Sequence, residues 1–352
     1  MEKNKRIYLD LHVLQTVPPS CINRDDSGSP KTAVYGGVNR ARVSSQSWKH
    51  AMREMFAQNF DESELGVRTK KIVRMVAAEV QKIDASVNEE KAMELAEKVI
   101  NLCGVKTDKQ EAKALFFLSA KQAHNLAELI INNTEATKKE AQAVLRKDHS
   151  VDIALFGRMV ADDPSLNADA AAQVAHSIST HQVENEYDYF TAVDELAPED
   201  NAGAGMIGMV EFNSATLYRY ATIAVHGLYK ELGNDKETTV KAVREFIRAF
   251  ALSMPTGKQN TFANRTAPNA LLVTLRLDQP VNMVGAFEKA VRSENGYVEK
   301  SVEALKDYKA KVESTFVSAP AAEWSTGMDD NSMKMDELLD AVVNAVTAEV
   351  DK

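Results

Sequence analysis

The rhythm of polar and apolar positions changes several times along this chain. From Arg6 to Gln15 the apolar residues Ile7, Leu9, Leu11 and Val13 alternate with others, the period of a strand with one buried face. Pro18-Pro19-Ser20 and Asp26-Ser27-Gly28-Ser29-Pro30 then mark an irregular loop, Gly36-Gly37 a turn, and Ala41–Val43 a short extended stretch. A helix is expected from Ser44. Between about Asp61 and Lys147 the period lengthens to three or four. Helices are predicted over Thr69–Val80, Asn88–Leu102, Glu111–Ile131 and Lys138–Lys147, a helical insertion. Strand character returns at Ser150–Met159 and Met209–Val225. A helix at Thr239–Ser253 stops before Pro255, a strand follows at Asn269–Leu277, and helices at Asn282–Arg292, Glu299–Glu313 and Met335–Val350 close the chain. With the insertion set aside, the order is strand, helix, strand, strand, helix, strand. That is the split βαβ order of an α+β, ferredoxin-like or RNA-recognition-motif sheet.

The 352 residues, 44% hydrophobic and 26% charged, have ordinary globular composition, which excludes collagen-like and largely disordered chains. No apolar run approaches the ~20 residues of a membrane span. The start, Met1-Glu2-Lys3-Asn4-Lys5-Arg6, leads into a strand pattern rather than a signal-peptide core, so a cytoplasmic protein with no membrane partner is expected. Cys21 and Cys103 fit neither a disulfide framework nor a zinc motif and are expected to be ordinary thiols.

The net charge of −9 is unevenly spread. Residues 1–56 hold nine Lys and Arg against five acids, a local excess of +4 on an otherwise acidic chain. The helix expected after Ser44 concentrates it. At ~100° per residue, Gln46, Lys49, His50 and Arg53 share an arc of about 100°, with Trp48, Ala51, Met52, Met55 and Phe56 opposite. Ser44 suits the N-cap, with Val43 and Trp48 as a hydrophobic staple. Arg24, Arg40 and Arg42 lie just upstream. Cations and donors near a helix N-terminus favour phosphate and can follow a nucleic-acid backbone without reading bases. The same stripe is also compatible with a merely solvated face.

Other motifs carry less. Gly203-Ala204-Gly205-Met206-Ile207-Gly208 matches GxGxxG but leads into a strand, where a dinucleotide site needs a helix; a flexible hairpin tip is expected instead. His176 and His181 are five apart and Thr180-His181-Gln182-Val183-Glu184 lacks a third ligand, so no metal is expected. Asp25-Asp26 and Asp162-Asp163 read as turn acids. No catalytic residues and no cofactor are expected. The alternative, an RNA endonuclease, would rest on His50 as base.

Several strings resemble a known family. His12-Val13-Leu14, Pro19-Ser20-Cys21-Ile22-Asn23-Arg24-Asp25-Asp26, Tyr35-Gly36-Gly37 and Arg40-Ala41-Arg42-Val43-Ser44-Ser45-Gln46-Ser47-Trp48-Lys49 are similar to the N-terminal signature of the CasC (Cse-type) family, the repeated backbone subunits of the type I-E CRISPR surveillance complex, Cascade. Val151–Leu155 with Gly157-Arg158-Met159, Thr180–Val183, Phe190–Asp194, Tyr218–Ala221 and Lys258-Gln259 with Thr261 extend the resemblance to about residue 264. It implies an RNA-recognition-motif-like palm at 1–60, 172–182 and 214–352, helical fingers at 61–171, and a β-hairpin thumb at 183–213. It further implies a non-catalytic scaffold for antiviral defence, in which copies of the chain form a filament along the CRISPR RNA. Arg24, Arg40, Arg42, Ser44, Gln46, Lys49 and Arg53 would hold the RNA backbone, and Met159 would lie against bases. The implied partners are CRISPR RNA, target DNA paired to it, further copies of the chain, and the other Cascade subunits: large, small and the two that cap the guide ends. The family is more basic than this chain at Val38-Asn39 and His50.

Overall fold

The computed structural model describes residues 6–160, 163–192, 195–196, 206–329 and 332–352. Six elements form the centre: Tyr8–Ser20 (β1), Ser45–Phe56 (α1), a strand in two pieces, Ala172–Val174 and Ser177–Ser179 (together β2), Met206–Ala224 (β3), Lys236–Leu252 (α2) and Ala270–Arg276 (β4). β1 pairs antiparallel with β3 on one side and β4 on the other, and both pieces of β2 pair antiparallel with β3. The order β4-β1-β3-β2 is that of a ferredoxin-like, RNA-recognition-motif sheet. Where β2 is interrupted, the Ala175 N–H still donates to the Tyr220 carbonyl at 2.9 Å. A hairpin, Thr32–Tyr35 with Val38–Val43, docks on Ser177–Ser179, and Ala322–Thr326 extends the sheet beyond β4.

Both faces of this sheet are covered. Leu9, Leu11 and Val13 enter a core with Trp48 and Met52 of α1, Phe246 and Phe250 of α2, and Val342 and Val346 of the C-terminal helix Met335–Asp351. On the opposite face Leu14, Tyr218 and Tyr220 pack with Phe287, Val302 and Leu305, from a 3-10 turn at Met283–Phe287 and the helix Val298–Thr315. The face that an RNA-recognition motif leaves open is thus closed.

The inserted helices Ile72–Ile83, Glu89–Leu102, Ala120–Asn132 and Lys138–Leu145 bury their apolar stripes in a core of their own, around Val73, Val76, Val99, Leu126 and Ile130. A hairpin grows from the sheet where Glu186–Ala192 pairs with Met206–Phe212 of β3, exposing Tyr187, Tyr189, Ile207 and Met209. Gly203 and Gly205, expected at its tip, lie outside the described residues. Gly208 stands opposite Phe190, and a Cβ there would come 2.3 Å from the ring, so this glycine makes room for an aromatic side chain within the hairpin.

β1 runs on through Pro18-Pro19-Ser20, expected as loop, with an irregularity in its pairing between Val17 and Ser20, and three further predicted elements differ. Ser150–Met159, expected as a strand, is the helix Val151–Phe156 followed by a turn. Its residues are buried from Val151 to Leu155, so the apolar run holds no facing information to separate helix from strand. The helix expected over Asn282–Arg292 is only the 3-10 turn Met283–Phe287, because the carbonyls of Phe287 and Glu288, which would carry it onward, accept from the Arg40 guanidinium. The helix expected from Glu111 starts at Ala120, behind a capping box of Ser119 and Gln122; the apolar letters before it form the strand Phe116–Ser119, paired with Gly66–Thr69.

Burial of polar groups on the helix-covered face gives a pH dependence. His12 is 1% exposed, with Nδ1 2.8 Å from the Tyr218 hydroxyl and Nε2 unpartnered. Burial, then the charges of Lys309 and Arg276, push its pKa down to about 3 from 6.5. The folded pKa is depressed, so unfolding takes up a proton below pH 6.5. The stabilisation is complete above the unfolded pKa and is lost as the pH falls towards 3. About 2 kcal/mol should be gone by about pH 5, above the range where carboxylates titrate. His12→Gln is expected to flatten the fall of Tm between about pH 6.5 and 5, leaving a smaller slope from His176 and His181, whose pKa values burial also lowers. An unchanged slope would contradict this.

Candidate nucleic-acid interface

The start of α1 is fixed before its exposed face is presented. Ser44 Oγ accepts from the Ser47 N–H at 3.3 Å, while the Ser44 N–H donates to Asn23 Oδ1 at 2.9 Å, tethering the first loop to the cap. Trp48 Nε1 donates to Ser177 Oγ at 2.9 Å, and Trp48, Ala51, Met52 and Phe56 are buried. Gln46, Lys49, His50 and Arg53 therefore form the opposite ridge, with a cleft on either side.

The larger cleft, about 730 Å³, lies between α1 and the base of the helical insertion. Gln46, Lys49 and Arg53 line it from α1, Arg68 and Phe117 from the paired strands Gly66–Thr69 and Phe116–Ser119, and Met159 from the turn after Val151–Phe156. Gln46 and Arg68 are exposed. Lys49 is half-buried with its ammonium 6.0 Å from the centre of the Phe156 ring; burial lowers its pKa, and it has no carboxylate partner among the described residues. Asp169 is an acid in the same lining. Besides Arg53, the cleft thus offers Lys49 and Arg68 on opposite walls together with an amide and apolar surface, a combination that suits phosphates and bases held side by side.

Met159 is 83% exposed because the chain around it is pinned. Arg158 is buried and donates to the carbonyls of Leu166 at 3.0 Å, Phe117 at 3.1 Å and Leu145 at 2.7 Å, and to Gln122 Oε1 at 3.1 Å. The Arg158 and Ala168 backbones exchange hydrogen bonds, and Gly157 makes the turn at φ +76°. A Cβ on Gly157 would stand 2.9 Å from the Ala168 carbonyl oxygen. Gly157→Ala is therefore expected to destabilise the chain by about 1–3 kcal/mol, read as a lower Tm; an unchanged Tm would contradict the strain.

The smaller cleft, about 550 Å³, is lined by Arg24, Asp25, Asp26, Glu54 and Thr256 and shares His50 with the first. His50 Nε2 is 3.3 Å from Glu54. Arg24 is exposed there, whereas Arg42 lies on the hairpin strand Val38–Val43, between Thr32–Tyr35 and Ser177–Ser179, its Nε donating to the Thr32 carbonyl at 3.2 Å and Nη1 to His176 Nδ1 at 3.2 Å.

Of the eight expected contact residues, Gln46, Lys49, Arg53 and Met159 come together in one cleft. Two are corrected. Arg40 has no exposed surface: Nη1 donates to the Ser179 carbonyl at 2.9 Å and Nη2 to that of Phe287 at 3.0 Å, so its charge is spent on stitching the hairpin to the covered sheet face. Ser44 is buried, its hydroxyl occupied by the cap. Arg53 is in the cleft but already paired, its Nε 3.1 Å from Asp152 Oδ2 and its guanidinium 4.5 Å from the Phe117 ring. Arg68 was missed, since only the folded insertion brings its strand beside α1.

Among the described residues no three His, Cys, Asp or Glu side chains gather as a metal site. His181 is buried, stacked on Tyr297 at 3.6 Å, donating to the Gln182 carbonyl and accepting from the Thr216 N–H. Cys21 and Cys103 are buried free thiols. No described helix is long and apolar enough to cross a membrane.

Comparison with curated proteins finds no match. Among solved structures, a chain of a "CRISPR RNA-guided surveillance complex, pre-nicking" is 31% identical, with a TM-score of 0.82 over 96% of this chain and 100% of that one. A chain of a "CRISPR RNA-guided surveillance complex" is 27% identical, with a TM-score of 0.71 over 96% and 99%. The family described as CT1975-like protein matches residues 9–348. A ferredoxin-like sheet with a helical insertion and a hairpin, matched over nearly its whole length, places this chain in the CT1975-like protein family.

Proposed function

We propose that this chain is the repeated, non-catalytic RNA-binding subunit of a type I-E Cascade. Copies of it would form a filament on a CRISPR RNA and hold the spacer for pairing with target DNA. The observation that carries this is the cleft between α1 and the insertion, where Lys49, Gln46 and exposed Arg68 face the projecting Met159. Its likeness to chains of RNA-guided surveillance complexes over 96% of its length supports the same assignment. Lys49 and Arg68 supply charge to phosphates, Gln46 a hydrogen bond, and Met159 an apolar contact to bases, with Arg24 and Arg42 extending the basic track beyond the cleft. The protein grips shape while the RNA reads sequence. The other Cascade subunits complete the particle.

The non-catalytic assignment is tested on the particle purified from co-expression with those subunits and a repeat–spacer transcript. The guide is expected to keep its length through incubation with EDTA or with magnesium, for wild type and for His50→Ala alike. Cleavage by wild type that His50→Ala abolishes would overturn it in favour of an endonuclease.

A further inference from the structure

The two walls of the cleft belong to different parts of the fold, and one buried carboxylate joins them. Asp152, 2% exposed, lies on the Val151–Phe156 helix, whose last residue, Phe156, lines the cleft. Its Oδ2 accepts from Arg53 Nε at 3.1 Å, on the α1 wall. Its Oδ1 accepts from the Gly66 N–H at 2.8 Å, on the strand that carries Arg68, and from Ser150 Oγ at 2.7 Å. Arg53 closes the ring by donating from Nη2 to the Gly66 carbonyl at 3.4 Å and by covering Phe117. Gly66 is needed for this approach: a Cβ would come 2.8 Å from both Phe117 Cε2 and Ser150 Oγ.

We infer that Asp152 and Arg53 are positioning residues, a joint that sets the span between Lys49 and Arg68, and that Arg53 acts through Asp152 and not as a phosphate ligand. This rests on the RNA-binding assignment of the cleft. The two roles predict opposite signs. If Arg53 held a phosphate, removing Asp152 would free a cation and tighten the grip on RNA. If the pair is a joint, removing Asp152 lets the walls drift and weakens it.

The test uses the co-expressed particle and reads the salt concentration at which half the guide RNA is released in a wash series. Asp152→Ala is expected to lower it by about twofold, Arg53→Ala by a similar factor, and the double variant no further, with Asp152→Asn between. That non-additivity separates a joint from a general loss of fold, which would accumulate. A rise with Asp152→Ala, or no change with Asp152→Ala while Arg53→Ala falls, would overturn the joint. Where Asp152→Ala does not assemble, Arg53→Lys decides: it keeps the charge but cannot bridge Asp152 and Gly66, so the joint predicts a fall and a phosphate contact predicts retention. Lys49→Glu/Arg68→Glu runs alongside; if it leaves RNA retention unchanged, the cleft assignment itself fails.

Discussion

Lys49→Glu/Arg68→Glu is expected to strip the guide RNA from the particle. Each substitution removes a cation from the cleft and puts a carboxylate in its place, facing phosphates. Without these two cations, binding should weaken on the order of 100-fold per subunit, with the salt slope falling by about 0.7 for each phosphate released. If several subunits hold one RNA, the effects compound, because neighbours along the strand supply one another with effective concentration. Retained RNA, measured after purification at low and at moderate salt, is expected to be reduced at low salt and absent at moderate salt. Lys49 is the more sensitive of the two, since burial already opposes its charge and no carboxylate partner supports it among the described residues. Undiminished RNA at both salts would mean that the ridge is only a solvated face.

Arg219→Ala is expected to cause the largest loss of stability, about 3–5 kcal/mol, read as a fall in Tm or in the denaturant midpoint. The Arg219 side chain is 1% exposed, with its guanidinium 3.7 Å from the Trp48 ring and 4.8 Å from that of Phe250. Nη1 donates to Gln15 Oε1 at 2.5 Å and to the Ala251 carbonyl at 3.4 Å, and Nη2 donates to the Phe250 carbonyl. Those carbonyls belong to the last turn of α2, so the cation satisfies acceptors that the helix leaves open and meets the negative end of its dipole. Burial pulls its pKa down to about 9, which leaves it charged at neutral pH. Alanine opens a cavity under Trp48 and strands two carbonyls. Arg219→Lys keeps the charge but not the flat stack, and falls between. Because Trp48 seats α1, the alanine variant that still folds should also retain less RNA. A variant as stable as wild type would contradict the role of this stack.

What could be read from the letters follows how local each determinant is. The β1 alternation and the α1 wheel involve neighbours a few positions apart, and both elements form where the periods put them. The split βαβ order was read with Ser150–Met159 as its second strand; that segment is a helix, and the short pieces Ala172–Val174 and Ser177–Ser179, which no period marked, supply the strand in β4-β1-β3-β2. Arg40 shows the limit. Beside Arg42 it looks like one of a basic pair, yet its acceptors, the carbonyls of Phe287 and Glu288, come from some 250 positions away. The same contact ends the helix expected over Asn282–Arg292, so one long-range interaction accounts for two differences. Arg68 was hidden for the converse reason: nothing in Gly66-Val67-Arg68-Thr69 marks a ligand until its pairing with Phe116–Ser119 sets it across from Lys49. The chemistry of α1 was legible, while the opposite wall of the cleft was a property of the fold.

Under the proposed function, several copies of this chain hold one guide RNA through this cleft. Native mass spectrometry of the particle, co-expressed with the other Cascade subunits and a repeat–spacer transcript, counts copies per RNA directly. Several copies of the chain on a single RNA are expected for wild type, and no RNA-bearing assembly for Lys49→Glu/Arg68→Glu. One copy per particle, or the same multi-copy assembly on RNA with both cations reversed, would contradict the proposal.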